Sequence, residues 1–278
     1  MRVTFLGTGA AGGVPLHGCT CPACVRARGD SRYLRRPCCA LVETATTRIL
    51  LDAGLMDLHE RIAQASLDAI VLTHYHPDHV QGLFHLRWGV GAKIPVWGPP
   101  DSEGCADLYR NPGLLAFQTA SKFNTLSIGD LKLTPLPLIH SKPTLGYAIE
   151  GPGGQRFAYL TDTIGLPPKS IDYLAAWGNF EMALDCSFPP RTDPRNHNDW
   201  NLAQACIERV KPARTWLTHA GHHLDARLLT ESPAMPANTL MAHDGLVASK
   251  CLLSWTLAVS VSNLRMILYF LSTLTESL

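Results

Sequence analysis

Three histidines and one aspartate fall within six residues, directly after an apolar segment of the chain. Residues 73–79 read Thr-His-Tyr-His-Pro-Asp-His, and the apolar residues 69–72 before them predict a buried strand. Buried imidazole and carboxylate groups each need a partner, and one metal ion supplies a partner to several of them at once. The run therefore predicts a metal site at the end of a strand, in preference to separate surface histidines.

The spacing within this run divides the side chains between two neighbouring ions. In a turn that leaves a strand, His74 and His76 point the same way, whereas Asp78 and His79 lie at the start of the next helix. Imidazole and carboxylate ligands suit zinc, manganese or iron, so the ligand types do not name the metal. Two divalent ions about 3.5–4 Å apart turn water into a nucleophile near neutral pH, which predicts a hydrolase.

The His-x-His-x-Asp-His pattern resembles the metallo-β-lactamase superfamily, and isolated residues later in the chain match its other motifs in order. The resemblance implies one ion held by His74, His76 and His140, and a second held by Asp78, His79 and His219. It implies that Asp162 is a catalytic residue shared by both ions. It also implies that Asp52 orients the histidine motif without binding metal.

A second group of ligand-type residues lies near the N-terminus, on a turn rich in glycine and proline. Cys19, Cys21 and Cys24 form a Cys-x-Cys-x-x-Cys motif, and His222 follows three residues after His219. Three thiolates with one imidazole are a common closed ligand set for structural zinc. We predict a structural zinc site from these four residues. A strained Cys-x-Cys disulfide and buried free thiols are the alternatives.

With the cysteine motif included, residues 1 to about 247 resemble the PhnP family of phosphoribosyl cyclic phosphate phosphodiesterases. The shared motifs include Arg36-Pro37-Cys38, His140-Ser141-Lys142, Asp185-Cys186-Ser187 and Arg195-Asn196-His197. The resemblance implies the opening of 5-phospho-α-D-ribose 1,2-cyclic phosphate to ribose 1,5-bisphosphate, in the carbon-phosphorus lyase pathway of phosphonate catabolism. It further implies a homodimer, with Mn2+ in the catalytic pair and Zn2+ as the alternative metal.

Four further residues are candidates for contact with this small-molecule substrate. His197 is the predicted general acid, because the family places a histidine in this loop and imidazole titrates near neutral pH. Lys142, Arg191 and Arg195 are candidates for binding the 5-phosphate. Solvated surface side chains are the alternative interpretation for all four.

The charge of the chain argues against a nucleic-acid substrate. The formal net charge is +1 over 278 residues, and basic residues are spread thinly, so there is little field to attract a polyanion. A tRNase Z-like RNA 3′-endonuclease is the main alternative enzyme, because the same ligand pattern also serves RNA cleavage; lactonases and thioesterases share the fold. A zinc-dependent module that binds nucleic acid or protein without catalysis is the alternative outside enzymes.

The cysteines favour a cytoplasmic protein. Nine cysteines, five of them within residues 19–39, do not resemble the evenly paired framework of a small secreted domain. Residues 1–20 also lack the pattern of a secretory signal.

Short β-branched segments come first in pairs and later alternate with helical segments. This order predicts an α+β fold in which two sheets pack together between outer helices, a four-layer αββα sandwich. We predict a phosphodiesterase domain over residues 1–248. Residues 249–278 form an apolar extension of unknown role, without a counterpart in the family. A membrane span is disfavoured there, because Arg265 lies near the middle of any apolar window.

Overall fold

Two seven-stranded mixed sheets form the centre of the protein in a computed structural model that describes residues 1–62 and 66–248. The strands of the first sheet are β1 (Arg2–Gly7), β2 (Cys39–Glu43), β3 (Arg48–Leu51), β4 (Ala69–Val71), β5 (Ile94–Gly98), β6 (Leu115–Thr119) and β14 (Val247–Ala248). Their spatial order is β14-β1-β2-β3-β4-β5-β6. The pairs from β14 to β3 are antiparallel, and those from β3 to β6 are parallel.

The second sheet has the same division into an antiparallel and a parallel part. Its strands are β7 (Leu126–Ile128), β8 (Leu131–Pro137), β9 (Leu145–Glu150), β10 (Arg156–Leu160), β11 (Glu181–Asp185), β12 (Arg214–Thr218) and β13 (Thr239–Met241). The spatial order is β13-β12-β11-β10-β9-β8-β7. Pairing is antiparallel from β7 to β10 and parallel from β10 to β13.

The two sheets pack face to face through alternate residues of their strands. Val3 and Phe5 of β1 point inward with Phe157 and Tyr159 of β10, and all four are buried. The Phe5 and Phe157 rings meet edge to face, with 6.4 Å between centroids. Since each fully buried side chain of this size contributes about 1.5–3 kcal/mol, this layer is a main source of stability.

Eight α-helices of the described residues cover the outer sheet faces or pack beside them. They are α1 (Pro22–Gly29), α2 (Leu58–Arg61), α3 (Pro77–Val80), α4 (Leu83–Leu86), α5 (Ala106–Arg110), α6 (Pro168–Ala176), α7 (Trp200–Val210) and α8 (His222–Glu231). Buried leucines of α2, α4 and α5 join the outer core of the first sheet, and α6, α7 and α8 join that of the second. Helix α1 packs against α8. The predicted αββα sandwich is confirmed.

Helix α7 illustrates how sequence produces an outer layer. Its buried residues Trp200, Ala203, Ile207 and Val210 recur every three or four positions, which places them on one helix face. The Asp199 side chain accepts a hydrogen bond from the backbone N–H of Leu202 and so caps the first turn. One face of α7 therefore closes the second sheet, and its capped start adjoins the loop of residues 195–198.

Residues 1–248 form one unit of the chain. No helix of residues 1–62 or 66–248 combines the length and apolar character that crossing a bilayer requires. The apolar extension predicted for residues 249–278 lies outside the described residues.

Candidate metal centre

The predicted ligands converge from loops that follow strands of both sheets. Residues 73–79 follow β4, and His140 lies shortly after β8. Asp162 follows β10, and His219 follows β12. Parallel strands place their carboxyl ends at one edge of a sheet, which is why residues distant in sequence meet there.

The first group contains His74, His76, His140 and Asp162, each with one ligand atom within 4.8 Å of the others. His76 Nδ1 lies 2.8 Å from His74 Nε2 and 3.0 Å from His140 Nε2. Asp162 Oδ2 is 3.5 Å from His74 Nε2 and 3.8 Å from His140 Nε2. Ligands about 2.0–2.1 Å from a tetrahedral metal are about 3.3 Å from one another, so these atoms have the spacing of a ligand set.

The second group contains Asp78, His79, His219 and the same Asp162. His79 Nε2 is 3.4 Å from Asp78 Oδ2 and 3.2 Å from Asp162 Oδ2. His219 Nε2 is 3.6 Å from Asp78 Oδ2 and 3.4 Å from Asp162 Oδ1. The buried carboxylate of Asp162 thus faces both groups.

Two buried nitrogen atoms test whether metal ions fit this arrangement. Nε2 of His79 and Nε2 of His219 are inaccessible to solvent, and neither atom has a hydrogen-bond partner among the described residues. A buried polar atom without a partner is costly, and a metal ion would satisfy both nitrogens. The residues therefore fit a pair of divalent ions.

Asp52 orients two of the histidines without joining either group. Its Oδ2 lies 2.9 Å from His79 Nδ1, and its Oδ1 accepts the backbone N–H of Thr73 at 2.8 Å. The Thr73 hydroxyl lies 3.0 Å from both Asp52 oxygens and from His74 Nδ1. These contacts leave Nε2 of His79 and of His74 directed at the centre, as metal-binding imidazoles require.

Asp52 and His219 both have left-handed backbone conformations, with φ of 58° and 56°. This conformation costs a residue other than glycine on the order of 1 kcal/mol or more, and such residues are enriched at functional sites. Asp52 follows β3 of the first sheet and His219 follows β12 of the second sheet, so each sheet contributes one residue with this conformational cost.

His197 lies beside both groups and is held by a carboxylate. Its ring stacks on His219 with 4.7 Å between centroids, and its Nδ1 is 2.9 Å from Asp185 Oδ2. Burial alone would lower the pKa of His197, but the Asp185 carboxylate outweighs burial and raises the pKa to about 9. His197 can therefore hold a proton at neutral pH, next to the candidate metal ligands.

A family model described as a beta-lactamase superfamily domain matches residues 47–220, which span β3 to the loop after β12. This chain belongs to the metallo-β-lactamase superfamily. Members of the superfamily are mostly metal-dependent hydrolases. The two-sheet fold and the His/Asp groups at its edge agree with this membership.

Proteins similar to this chain in sequence are named for different activities. The chain is 29% identical over 271 residues to an octanoyltransferase of Porphyromonas gingivalis, covering 89% of this chain and 51% of that protein. It is 32% identical over 121 residues to a ribonuclease Z of Methanopyrus kandleri, covering 40% and 43%. The chain thus spans about half the length of the curated relatives it matches.

One solved structure corresponds to nearly the whole superfamily domain. The crystal structure of a diphosphatase from the PhnP family superimposes with a TM-score of 0.74 and 25% identity. The match covers 89% of this chain and 97% of that one. The likeness therefore extends beyond residues 47–220.

The structure also brings the predicted cysteine site together. The Sγ atoms of Cys19 and Cys21 are 3.2 Å and 3.6 Å from His222 Nδ1, and Cys24 lies within the same group. Among the described residues, all eight cysteines are free thiols. Cys21 immediately precedes α1, and His222 is the first residue of α8, so the group joins two helix starts.

The three predicted phosphate-binding residues have different surroundings. Lys142 forms an ion pair with Asp101 at 3.3 Å, and the exposed Arg195 forms one with Asp193 at 2.7 Å. The Arg191 guanidinium instead lies 3.3 Å above the Phe188 ring centroid. Within the described residues, Arg191 has no carboxylate at ion-pair distance.

The sequence prediction missed two buried residues of the centre. Asp185 holds His197, and Ser187 contacts both Asp185 and His219 at 2.8 Å. The Asp-Cys-Ser motif at 185–187 is the sequence signal for both, but only the folded loop at residue 197 reveals their contacts. The backbone carbonyl of Asn196, 2.9 Å from His140 Nδ1, has no signal in its residue type.

Proposed function

We propose that this protein hydrolyses 5-phospho-α-D-ribose 1,2-cyclic phosphate to ribose 1,5-bisphosphate, as a step of phosphonate catabolism. The observation that carries the proposal is the His197–Asp185 pair, which stands beside two ligand groups that share Asp162. Such a site combines an acid with charge stabilisation for a phosphodiester. The similarity to a diphosphatase of the PhnP family, over nearly the whole of that chain, supports hydrolysis of a phosphate-containing substrate.

The metal-binding roles follow the two groups. We assign His74, His76 and His140 to one ion and Asp78, His79 and His219 to the other, with Asp162 shared between them. When bound, a divalent pair lowers the pKa of water to about 7 and stabilises negative charge on phosphate oxygens. Asp52 keeps His79 and His74 in the orientation that this binding needs.

His197 acts as the general acid in this proposal. Its Nδ1–H donates to Asp185, so Nε2 is the nitrogen that gives up a proton. As water attacks phosphorus, the bond between phosphorus and the ribose 2-oxygen breaks, and that oxygen receives the proton from His197. Asp185 stabilises the imidazolium before the transfer and fixes the ring orientation.

Arg191 is the best supported of the three candidates for the 5-phosphate. Its guanidinium stacks on Phe188, whose ring contacts His197 with 6.2 Å between centroids. An arginine that is ordered by an aromatic ring and lacks an acidic partner is suited to bind a phosphate with two hydrogen bonds. Lys142 and Arg195 would first have to leave their carboxylate partners.

Several finer assignments belong to the same proposal. Manganese as the catalytic metal and a homodimer rest on the family resemblance. Structural zinc rests on the grouping of Cys19, Cys21, Cys24 and His222, and a cytoplasmic location rests on the cysteine pattern of the sequence. Metal analysis of the purified protein and light scattering test the metals and the dimer. We also propose residues 1–248 as the catalytic domain.

An RNA 3′-endonuclease is the second candidate, supported by the ribonuclease Z similarity over 40% of this chain. The net charge of +1 argues against it, because phosphate contacts along an RNA backbone require many basic residues. A zinc-dependent binding module would leave the buried Nε2 atoms of His79 and His219 without a role.

Phosphorus NMR of the purified protein with the cyclic ribose phosphate tests the proposal. We expect the cyclic diester resonance to be replaced by one new monoester resonance, from the 1-phosphate, while the 5-phosphate monoester resonance that the substrate already has remains. A parallel reaction contains precursor tRNA, and a third contains bis(p-nitrophenyl) phosphate. Cleavage of the tRNA with an unchanged cyclic ester would favour the endonuclease. If the metal-loaded protein releases no nitrophenol from bis(p-nitrophenyl) phosphate, a binding module would be favoured.

A further inference from the structure

We propose that Ser187 is a positioning residue that connects the candidate metal ligand His219 to Asp185. Through this hydroxyl, one buried carboxylate orients both His219 and the proposed acid His197. The inference rests on the proposed two-ion site, but not on the identity of the substrate. Neither the family match nor the similar proteins assign this role to Ser187.

The direction of the hydrogen bonds follows from the chemistry of the three groups. Ser187 Oγ lies 2.8 Å from Asp185 Oδ1 and 2.8 Å from His219 Nδ1. An ionised carboxylate can only accept, so the single hydroxyl hydrogen of Ser187 goes to Asp185. The serine oxygen then accepts the Nδ1–H of His219. This leaves Nε2 of His219 without a proton, which is the form that binds a metal.

The remaining contacts of Asp185 hold it in place. Its Oδ2 accepts from His197 Nδ1 at 2.9 Å and from the backbone N–H of Thr163 at 2.9 Å. Both Asp185 and Ser187 are completely buried. Loss of the serine hydroxyl would therefore leave one oxygen of Asp185 and Nδ1 of His219 without these partners, and water has no ready access to replace them.

The part of the centre that follows strands of the first sheet has the same arrangement, built from different residues. Asp52 contacts His79 directly at 2.9 Å, and it reaches His74 through the hydroxyl of Thr73. Asp185 likewise contacts one imidazole directly and a second through a hydroxyl. The two carboxylates thus use one pattern, and Ser187 has the place that Thr73 has in the part that follows strands of the first sheet.

The backbone of Ser187 is held independently of its hydroxyl. Its N–H donates to the Asn198 carbonyl at 2.9 Å, and its carbonyl accepts from Gly221 at 3.0 Å. Substitution of the side chain therefore leaves the backbone bonds of this loop in place. An effect on metal binding can then be attributed to the hydroxyl.

Resistance to a chelator measures the proposed role without relying on turnover. Metal-loaded wild-type and Ser187→Ala proteins are dialysed against increasing chelator, and bound metal per chain is counted. We expect the variant to lose one ion at a chelator concentration about 10 to 100 times lower, the usual effect of removing a partner of a metal ligand. Ser170→Ala is the matched control, because it deletes another buried hydroxyl, which donates to the Pro137 carbonyl.

Two further variants separate the hydroxyl from packing. Ser187→Thr keeps the hydroxyl and Ser187→Val replaces it with a methyl group, while the two side chains have nearly the same shape. We expect the threonine variant to retain the ion that the valine variant loses. Equal metal retention in these two proteins would overturn the inference, even if Ser187→Ala fails to fold.

The outcomes also distinguish this inference from the proposed function. Wild-type metal retention in both Ser187→Ala and Ser187→Val would reject the role of Ser187 and leave the hydrolase proposal intact. A wild-type protein that binds no ion pair would reject both. An intact cyclic ester in the NMR assay, together with selective metal loss in Ser187→Ala, would reject only the substrate.

Discussion

The His/Asp centre and the cysteine group each contain a histidine from one short segment, His219 and His222. The contacts that surround the two groups nevertheless differ. In the His/Asp centre, the second nitrogens of His79, His140 and His219 contact a carboxylate, a backbone carbonyl and a hydroxyl. In the cysteine group, the sulfur atoms of Cys19 and Cys24 accept backbone N–H groups from Cys21 and Leu16. The first arrangement controls the direction of each ligand, whereas the second ties loops together.

This contrast indicates a division between chemistry and folding. Carboxylate partners tune a metal that must react, while a closed thiolate set contributes mainly to the stability of the fold. The two regions are joined by residues 219–222, between β12 and α8. A buried ion pair between Arg35 and Asp225 of α8 also fixes this junction.

The substitution Asp162→Asn is expected to have the largest effect, because this carboxylate faces both ligand groups. We expect kcat for bis(p-nitrophenyl) phosphate to fall by roughly 10³-fold or more, since loss of an outer partner alone costs about 10- to 100-fold in affinity or activity. Metal analysis should show a loss from the His/Asp centre, while the zinc proposed for the cysteine group is retained. Equal loss from both regions would contradict the proposed division.

His197→Ala is expected to reduce turnover without removing metal. Loss of a general acid costs about 10²- to 10⁴-fold in kcat, and His197 is not among the assigned metal ligands. Steady-state kinetics on the cyclic ribose phosphate, with metal counted on the same sample, measures both effects. The exposed His17→Ala protein is the control. Unchanged turnover in His197→Ala would reject the acid role.

The sequence predicted most of the inner layers, because their residues are consistently apolar. Strand β4 is buried along its whole length, β10 is buried except at Arg156, and the buried residues of both strands are apolar or aromatic. The short strands β6, β7, β13 and β14 were not predicted, since they lie at or next to sheet edges and are partly exposed. The apolar sequence pattern that predicts a strand is weak where the strand is covered by the rest of the protein on one side only.

Tertiary hydrogen bonds explain a second difference. The helix that the sequence predicts to begin at Asp78 and His79 is instead divided into two short helices, α3 and α4. The N–H of Gly82 donates to the carbonyl of Ala53 near the end of β3, and not to the preceding helical turn. A contact over such a sequence distance has no local signal. Ser187 likewise meets His219 only through folding, so no local motif predicts its role. Several of the metal ligands, in contrast, lie within one short motif and could be predicted from it.

Arg191→Ala is expected to have a smaller and substrate-specific effect. Hydrogen bonds to a charged group contribute about 1.5–3 kcal/mol, so KM for the cyclic ribose phosphate should rise by about 10- to 150-fold. Bis(p-nitrophenyl) phosphate lacks the 5-phosphate, and its kinetics should not change. Arg195→Ala is the matched control, because that arginine is exposed and already paired with Asp193. An equal increase of KM for both substrates would contradict the assignment.

Cys19→Ser is expected to have the smallest effect on catalysis, and it tests the other side of the comparison. If the cysteine group holds structural zinc, the variant should lose one zinc per chain, and Tm should fall by on the order of 5–10 °C. Activity should fall only a few-fold, because His219 and His222 share a short segment whose anchoring is loosened. Cys206→Ser is the control, since that buried thiol of α7 belongs to no candidate metal group. Its Tm is expected to fall through packing while the metal content stays constant. Full activity of Cys19→Ser with unchanged metal per chain would reject the structural zinc site.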